Sequence, residues 1–280
     1  MLSYKHGFHS GNHADIIKHM TICLLLRCLN KKDKPYSVID THSGSGVYRL
    51  DGFMAQKNQE YKTGIEKVRD NAKLRQLVPE FYRVYDELNL EHKNTYPGSP
   101  MFEASIARDD DKLTFIDLHP NEFENLRNNF KRDRRCTIQH RDGLEALNAL
   151  LPPTPRRGLV VIDPAYEEKN EYIELVKAVK NGIHKWNTGC FAIWYPVLGK
   201  LRDHSKNLTN DLRRLNVPML QVELCIEEQE DVFGMCGSGM LILNYPFGID
   251  EMLSPVVDEL YKSLSRKGAS ARLKVLNPQD

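Results

Sequence analysis

One nine-residue stretch concentrates the groups best able to do chemistry: Gly158-Leu159-Val160-Val161-Ile162-Asp163-Pro164-Ala165-Tyr166. Its first five residues are apolar or small, which suits a parallel strand covered on both faces. Pro164 has no N–H to give to a ladder, so the strand stops at Asp163. In open α/β sheets ligands bind just beyond the carboxyl ends of the strands. A carboxylate, a proline carbonyl and an aromatic ring are therefore presented together at a ligand-binding position. Two acceptors can hold an amino group while a flat face stacks on the ring that carries it. A strand-to-turn junction with an Asp and a Pro is also common where no site exists, and the stretch alone leaves both readings open.

Asp163-Pro164-Ala165-Tyr166 resembles the Asp/Asn-Pro-Pro-aromatic motif of methyltransferases that modify the exocyclic nitrogen of adenine or cytosine. The lone pair of adenine N6 is delocalised into its ring, so that nitrogen is a poor nucleophile. Hydrogen bonds from the amino group to a carboxylate and to a backbone carbonyl favour a tetrahedral nitrogen with its lone pair free. Positive charge grows on the nitrogen during transfer, and Asp163 is suited to stabilise it. It can also take the proton afterwards. Tyr166 offers a face for an extruded base, worth ~1–3 kcal/mol per base. Ala165 stands where the motif has its second proline. The acceptor carbonyl belongs to Pro164 and is retained, so the difference costs rigidity.

The 280 residues carry 41% apolar and 28% charged side chains, as in an ordinary globular protein. Net charge is +1, so any nucleic-acid contact must come from local patches. Six cysteines lack CxxC spacing and mostly sit in apolar surroundings, which favours buried free thiols in a reducing compartment. No secretory signal pattern or membrane-length apolar run is present, and a cytoplasmic protein is expected.

The elements that must position the stretch follow a βα alternation. A helix is expected over about Ala14–Lys32, with Asn12 as its N-cap. Tyr36–Asp40 reads as the first strand, running into Thr41-His42-Ser43-Gly44-Ser45-Gly46. Those glycines let backbone approach a ligand. A third glycine at the dinucleotide-binding offset is missing, which weakens a nicotinamide reading. Residues 53–96 are polar and helical in pattern, too long for a βα loop, and read as a helical insertion above the sheet edge. Ser99-Pro100 reads as N-cap and first helical residue. Further strands are expected at Lys112–Asp117, Cys136–His140, Gly158–Ile162 and Cys190–Pro196. Helices are expected near Pro120–Lys131, up to Leu151, at Glu171–His184 and at Lys200–Leu215. Met219–Ile226 and Gly239–Asn244, joined without a helix, suggest an antiparallel pair at the sheet edge. A helix near Glu251–Leu264 and a short strand near Leu273–Leu276 end the chain. The whole predicts a doubly wound α/β sheet.

Beyond the motif, the chain resembles the bacterial 23S ribosomal RNA (adenine-N6) methyltransferases of the RlmJ type. The matching segments run in order from Tyr4-Lys5-His6-Gly7-Phe8-His9-Ser10-Gly11-Asn12-His13-Ala14-Asp15 and Lys18-His19, through Asp40–Tyr48, Tyr96–Pro100 and Leu118–Pro120, to Asp142-Gly143, Arg156–Leu159 and Ile193–Pro196. The resemblance implies a Rossmann-like class I methyltransferase fold in one domain, with a helical insertion and residues 1–13 over the active site. It implies S-adenosyl-L-methionine as methyl donor and an adenine of 23S ribosomal RNA as acceptor. His19, His42, Gly44, Ser99, Asp117, Asp142, Gly143 and Asp163 would line the cofactor, and Asp163, Pro164 and Tyr166 would act on the base. Asp117 stands where the family more often has Glu, so its reach to ribose hydroxyls is shorter. Tyr4 would face the RNA or gate the pocket, with His6 and Lys18 nearby. A monomer without a membrane partner is expected. A DNA adenine methyltransferase, or a non-catalytic nucleic-acid-binding protein linked to the use of external DNA, remains an alternative, because the motif reads the base and not the sugar.

Several residues carry a plainer reading. His9 and His13 form the only histidine pair spaced i, i+4, with no Cys or carboxylate pair beside them, so no metal site is expected. Asp117 and Asp142 could be helix caps. Trp194 and Tyr195 suit a core. Lys131-Arg132-Asp133-Arg134-Arg135 and Arg156-Arg157 read as solvated loops or as phosphate patches.

Overall fold

The structure, a computed structural model, describes residues 5–231 and 234–276. Its strands are β1 (Ser37–Asp40), β2 (Val47–Arg49), β3 (Thr95–Pro97), β4 (Lys112–Asp117), β5 (Cys136–His140), β6 (Gly158–Ile162), β7 (Cys190–Leu198), β8 (Met219–Cys225), β9 (Met235–Leu243) and β10 (Ser270–Leu276). The helices are α1 (His13–Asn30), α2 (Phe53–Asn58), α3 (Ile65–Val68), α4 (Ala72–Leu77), α5 (Pro79–Glu91), α6 (Ser99–Ile106), α7 (Pro120–Phe130), α8 (Gly143–Leu150), α9 (Lys169–Lys185), α10 (Ser205–Arg213) and α11 (Ile249–Leu264). Short 3-10 turns lie at His6–Phe8 and Glu60–Thr63.

Eight strands form one sheet in the order β10-β8-β9-β7-β6-β1-β4-β5. β7, β6, β1, β4 and β5 run parallel to one another. β9 pairs antiparallel with β7 and β8, and β10 pairs antiparallel with β8. The chain leaves β1 toward β4 and β5, then crosses back to β6 on the other side of β1. Strand order therefore reverses at β1, and the crevice beyond β1, β4 and β6 is where such sheets bind ligands.

Alternating strand residues feed two apolar layers, as a pleat of period two requires. Val38, Leu113, Phe115, Leu159 and Val161 face a core shared with α1 and α11. Ile39, Ile116, Val160 and Ile162 face the other core, with Leu147 of α8 and Leu175 of α9. α1 is buried along almost its whole length, because α6, α11 and β9 all pack on it. Asn12 caps it by accepting from the Asp15 amide at 3.0 Å.

The outer elements differ from the sequence expectations in definable ways. Residues 53–91 form α2–α5; α2 packs on the His6–Phe8 turn and α3–α5 on α1, α6 and α11, and the segment is closed at its base by the two-stranded β2–β3 pair. Gly98, not Ser99, is the N-cap of α6, because the Ser99 hydroxyl is donated to Asp40 Oδ2 at 2.6 Å. α10 starts at Ser205, after a turn rather than at Lys200. The antiparallel β8–β9 pair is not the edge: β10 lies outside β8.

β1 and β6 meet closely at Gly158, where a Cβ would lie 1.9 Å from the Ser37 carbonyl oxygen. The backbone of β1 must shift to admit any side chain. Gly158→Ala is expected to destabilise the fold by ~1–3 kcal/mol through overpacking. Urea unfolding checks this, and an unchanged midpoint would contradict so tight a β1–β6 contact.

Candidate active site

The turns after β1, β4, β5 and β6 surround a cavity of about 380 Å³, within the range of small-molecule sites. Gly44 adopts φ +60°, and a Cβ there would lie 2.0 Å from the Tyr48 hydroxyl. Only glycine lets this turn pass so close to Tyr48. Its amide donates to Asp117 Oδ2 at 2.8 Å, while the His119 amide donates to Asp117 Oδ1 at 2.7 Å. Asp117 is thus fixed at the end of β4 by two backbone donors. It caps no helix. Asp142 does: its side chain accepts from the Glu145 amide at 2.9 Å and starts α8. Gly143 packs against the β1 turn, where a Cβ would meet the Thr41 carbonyl at 2.0 Å.

His6, Lys18, His19, His42, Gly44, Ser99, Asp117, Asp142, Gly143, Asp163 and Pro164 all border this cavity. Tyr4 lies outside the described residues. Sequence reading missed the acidic part of the lining: Glu122, Glu167, Glu168, Glu171 and Glu174 also border it. Glu171 and Glu174 are spaced i, i+3 on α9, so part of the signal was present.

Asp163 sits at the end of β6 with its side chain 16% exposed. Its Oδ2 accepts from Lys18 Nζ at 2.7 Å. The same ammonium reaches Asp15 Oδ1 at 2.9 Å. Asp15 Oδ2 in turn takes the Gly11 amide at 2.8 Å and meets His6 Nε2 at 3.0 Å. Burial opposes the charge on Lys18, but Asp15 and Asp163 outweigh it and raise its pKa above the usual lysine value. Burial likewise opposes ionised Asp15, yet His6 and Lys18 hold its carboxyl well below the usual range. His19, fully buried beside Tyr96 OH at 2.9 Å, is kept neutral by desolvation.

A second cavity, of about 560 Å³, lies on the other side of Asp163. His6, Lys18, Asp163 and Ala165 line both cavities. The second is bordered further by His13, Tyr166, Trp194, Pro196 and Arg202. Tyr166 has φ +54° and donates its hydroxyl to the Trp194 carbonyl at 2.6 Å. Its ring centroid is 4.4 Å from that of Tyr172. The ring is thus held in place, largely buried, with one part forming cavity wall. Burial lowers the His13 pKa to about 4, leaving that ring neutral. Among the described residues no group of three or more His, Cys, Asp or Glu is arranged to hold a metal ion. No described helix is long and apolar enough to cross a membrane.

Beneath the first cavity, Asp40 at the end of β1 is fully buried. Burial pushes its carboxyl up to about 7, against the pull of the Ser99 hydroxyl and the His42 amide.

The reversing sheet and the strand-end cavity define a Rossmann-like α/β protein with a ligand site at the point of reversal. The family described as Ribosomal RNA large subunit methyltransferase D, RlmJ, matches residues 33–276. The Ribosomal RNA large subunit methyltransferase J of Haemophilus influenzae is 38% identical over 274 residues, covering 97% of each chain. That of Escherichia coli is 37% identical over 270 residues, covering 96% of each. A crystal structure of a Legionella pneumophila protein superposes with a TM-score of 0.87 at 34% identity, covering 95% of this chain and 98% of that one. The chain belongs to the RlmJ family.

Two outcomes follow from the buried charges. Lys18→Met leaves Asp15 and Asp163 facing each other without a cation, and is expected to cost ~3–5 kcal/mol in urea unfolding; a loss below ~1 kcal/mol would mean the ammonium is dispensable to the fold. Asp40 holds its proton in the fold up to about pH 7 but releases it near the ordinary 3.8 when unfolded. Between those values the folded state binds the extra proton, so Asp40's contribution to stability falls as pH rises. Asp40→Asn lacks that loss. Its unfolding free energy should gain on the wild type by on the order of 2 kcal/mol from about pH 5 to about pH 8, and a constant difference between the two pH values would contradict this.

Proposed function

We propose that the protein methylates N6 of an adenine in large-subunit, 23S ribosomal RNA, with S-adenosyl-L-methionine as donor. The observation that carries this reading is Asp163 in the wall between two cavities, one of nucleoside size and acid-lined, the other bordered by fixed aromatic rings. The acidic lining of the first suits the positive sulfonium and amino groups of the donor. Asp117 keeps lone pairs free for ribose hydroxyls, while His42, Ser99 and the Asp142-Gly143 turn border the same space. When bound, the donor supplies an electrophilic methyl group on a sulfonium.

The protein's own residues then have defined tasks. Asp163 Oδ2 is engaged by Lys18, which leaves Oδ1 to accept from an incoming amino group. The Pro164 carbonyl is a second acceptor, so the nitrogen is drawn toward tetrahedral geometry. Lys18 holds Asp163 in one orientation before any base arrives, which removes reorganisation from the reaction. The target base is extruded from its stack into the second cavity, where Tyr166 supplies an immobilised face. The buried rings and α1 exclude water from the transfer. Positive charge developing on N6 is stabilised by Asp163, whose carboxylate takes the proton once the C–N bond has formed. The names of the relatives support the ribosomal substrate, and the Asp163–Tyr166 chemistry supports N6 of adenine.

Asp163→Ala should abolish methyl incorporation into large-subunit ribosomal RNA while circular dichroism stays unchanged, and Asp163→Asn should lower turnover by at least ~100-fold. Mass spectrometry of the digested RNA for N6-methyladenosine reads both. Near-normal turnover in Asp163→Ala, or a methyl group found on another base, would refute the proposal.

A further inference from the structure

We propose that the amino-terminal end of the sheet is a second RNA-binding face, remote from the active site, which grips phosphates of ribosomal RNA outside the element that carries the target adenine. The proposal rests on the reading above and goes beyond it, because nothing in the catalytic geometry calls for this face.

Topology builds it. β6, β1, β4 and β5 are neighbours and parallel, so the loops that enter them lie side by side at one end. Those loops hold the basic runs of the sequence. Three arginines tie the loops together. Arg108 donates to the carbonyls of Lys32 and Lys34, at 3.1 and 2.7 Å, and pairs with Asp111 at 3.3 Å. Arg135 donates to the carbonyls of Ala104 and Ala107, at 2.8 and 2.6 Å, and pairs with Asp133. Arg157 donates to the Lys34 carbonyl at 2.7 Å. These cross-links turn four loops into one plate.

The cations that remain point to a ligand of opposite charge. Lys32, Lys34, Lys131, Arg132, Arg134 and Arg156 are exposed. None of them has a carboxylate at ion-pair distance among the described residues. On the acidic side, Asp33, 3.7 Å from Arg108, and Asp109 and Asp110 are the exposed acids of these loops. Six exposed cations without an ion-pair partner against three exposed acids is a local excess in a chain whose net charge is only +1. The opposite end of the sheet has the reverse character, with Glu167, Glu168, Glu171 and Glu174 around the first cavity. A phosphate chain is repelled there, so part of the affinity for a polyanion must come from elsewhere.

Distance makes the two ends separable. β4 is six residues long, and at ~3.3 Å per residue it alone sets the face ~20 Å from the catalytic loops. A short stem seated in the active site does not span that gap, whereas long RNA does.

The test removes charge without touching the cross-links or the cavities. A variant carrying Lys32→Ala, Lys34→Ala, Arg132→Ala and Arg134→Ala is compared with the wild type on full-length large-subunit ribosomal RNA and on a short stem-loop with the target adenine. On the long RNA, KM should rise by ~10-fold or more at constant kcat, and the slope of log KM against log salt should fall by about 0.9 for each duplex phosphate that the variant no longer neutralises. On the stem-loop, both constants should stay as in the wild type. Replacing Lys32 and Lys34 by Arg should preserve the long-RNA KM, since charge and not shape is at issue. An unchanged salt slope on long RNA overturns the proposal, as does an equal loss on the stem-loop. If the wild type methylates neither RNA, the functional reading itself has failed; if the wild type is active and the variant matches it, only this face has failed.

Discussion

Lys18 sits between Asp15 and Asp163 with almost no access to water, and the rest of the site depends on that arrangement. Lys18 and Asp163 are 145 residues apart and belong to different layers, one on α1 and the other at the end of β6. A buried ammonium is tolerated only where its partners offset desolvation. Two carboxylates do so here, and Asp15 is itself supported by the Gly11 amide and His6. The amino-terminal turn, α1 and the carboxyl end of β6 are thereby held in one register. The burial of α1 on nearly every side is what keeps water from screening the pair.

How far such a site can be read from sequence depends on whether a residue's role is local. β6 was readable because a continuous apolar run followed by Asp-Pro has one sheet interpretation. Asn12 was readable as a cap because its partner is three residues away. Ser99 was not, because the hydroxyl that looks like a cap is taken by Asp40, 59 residues away, and no local pattern encodes that. β2 and β3 are three residues each, too short to show a period. β10 escaped in part because most of its residues are exposed, so no apolar alternation marks it out. Most residues bordering the first cavity sit just past the ends of β1, β4, β5 and β6, where a strand followed by a turn can be read locally. The Asp15–Lys18–Asp163 chain crosses layers, and the family resemblance offered only the residue names.

Charge is laid out along the strand axis. Carboxylates gather where the strands end, around the first cavity, and unpaired cations gather where the strands begin. Helix termini contribute the same way: α8 opens at Asp142, and the first turn of α9 carries Glu171. Acids at helix N-termini are favourable on their own account, so the acids that border the cavity also stabilise the helices they open. A nearly neutral chain can thus carry two strong local fields of opposite sign, and net charge says little about what either end binds.

Ala165 shows how rigidity is relocated. A second proline would have restricted Pro164 to extended geometry and stiffened the turn from within the backbone. Without it, the turn ends in Tyr166 at φ +54°, a conformation that a bulky side chain adopts only when its surroundings enforce it. The enforcement is visible: the phenol is bonded to the Trp194 carbonyl at 2.6 Å, and the ring packs on Tyr172. Trp194 belongs to β7, the strand paired with β6. The aromatic wall of the second cavity is therefore fixed by a side-chain bond to the neighbouring strand, where the family motif would fix it by a ring in the main chain. Because that bond depends on β7 and not on the turn, the orientation of Tyr166 and the position of Asp163 are set by different parts of the sheet, one by the Trp194 carbonyl and the other by Lys18 of α1.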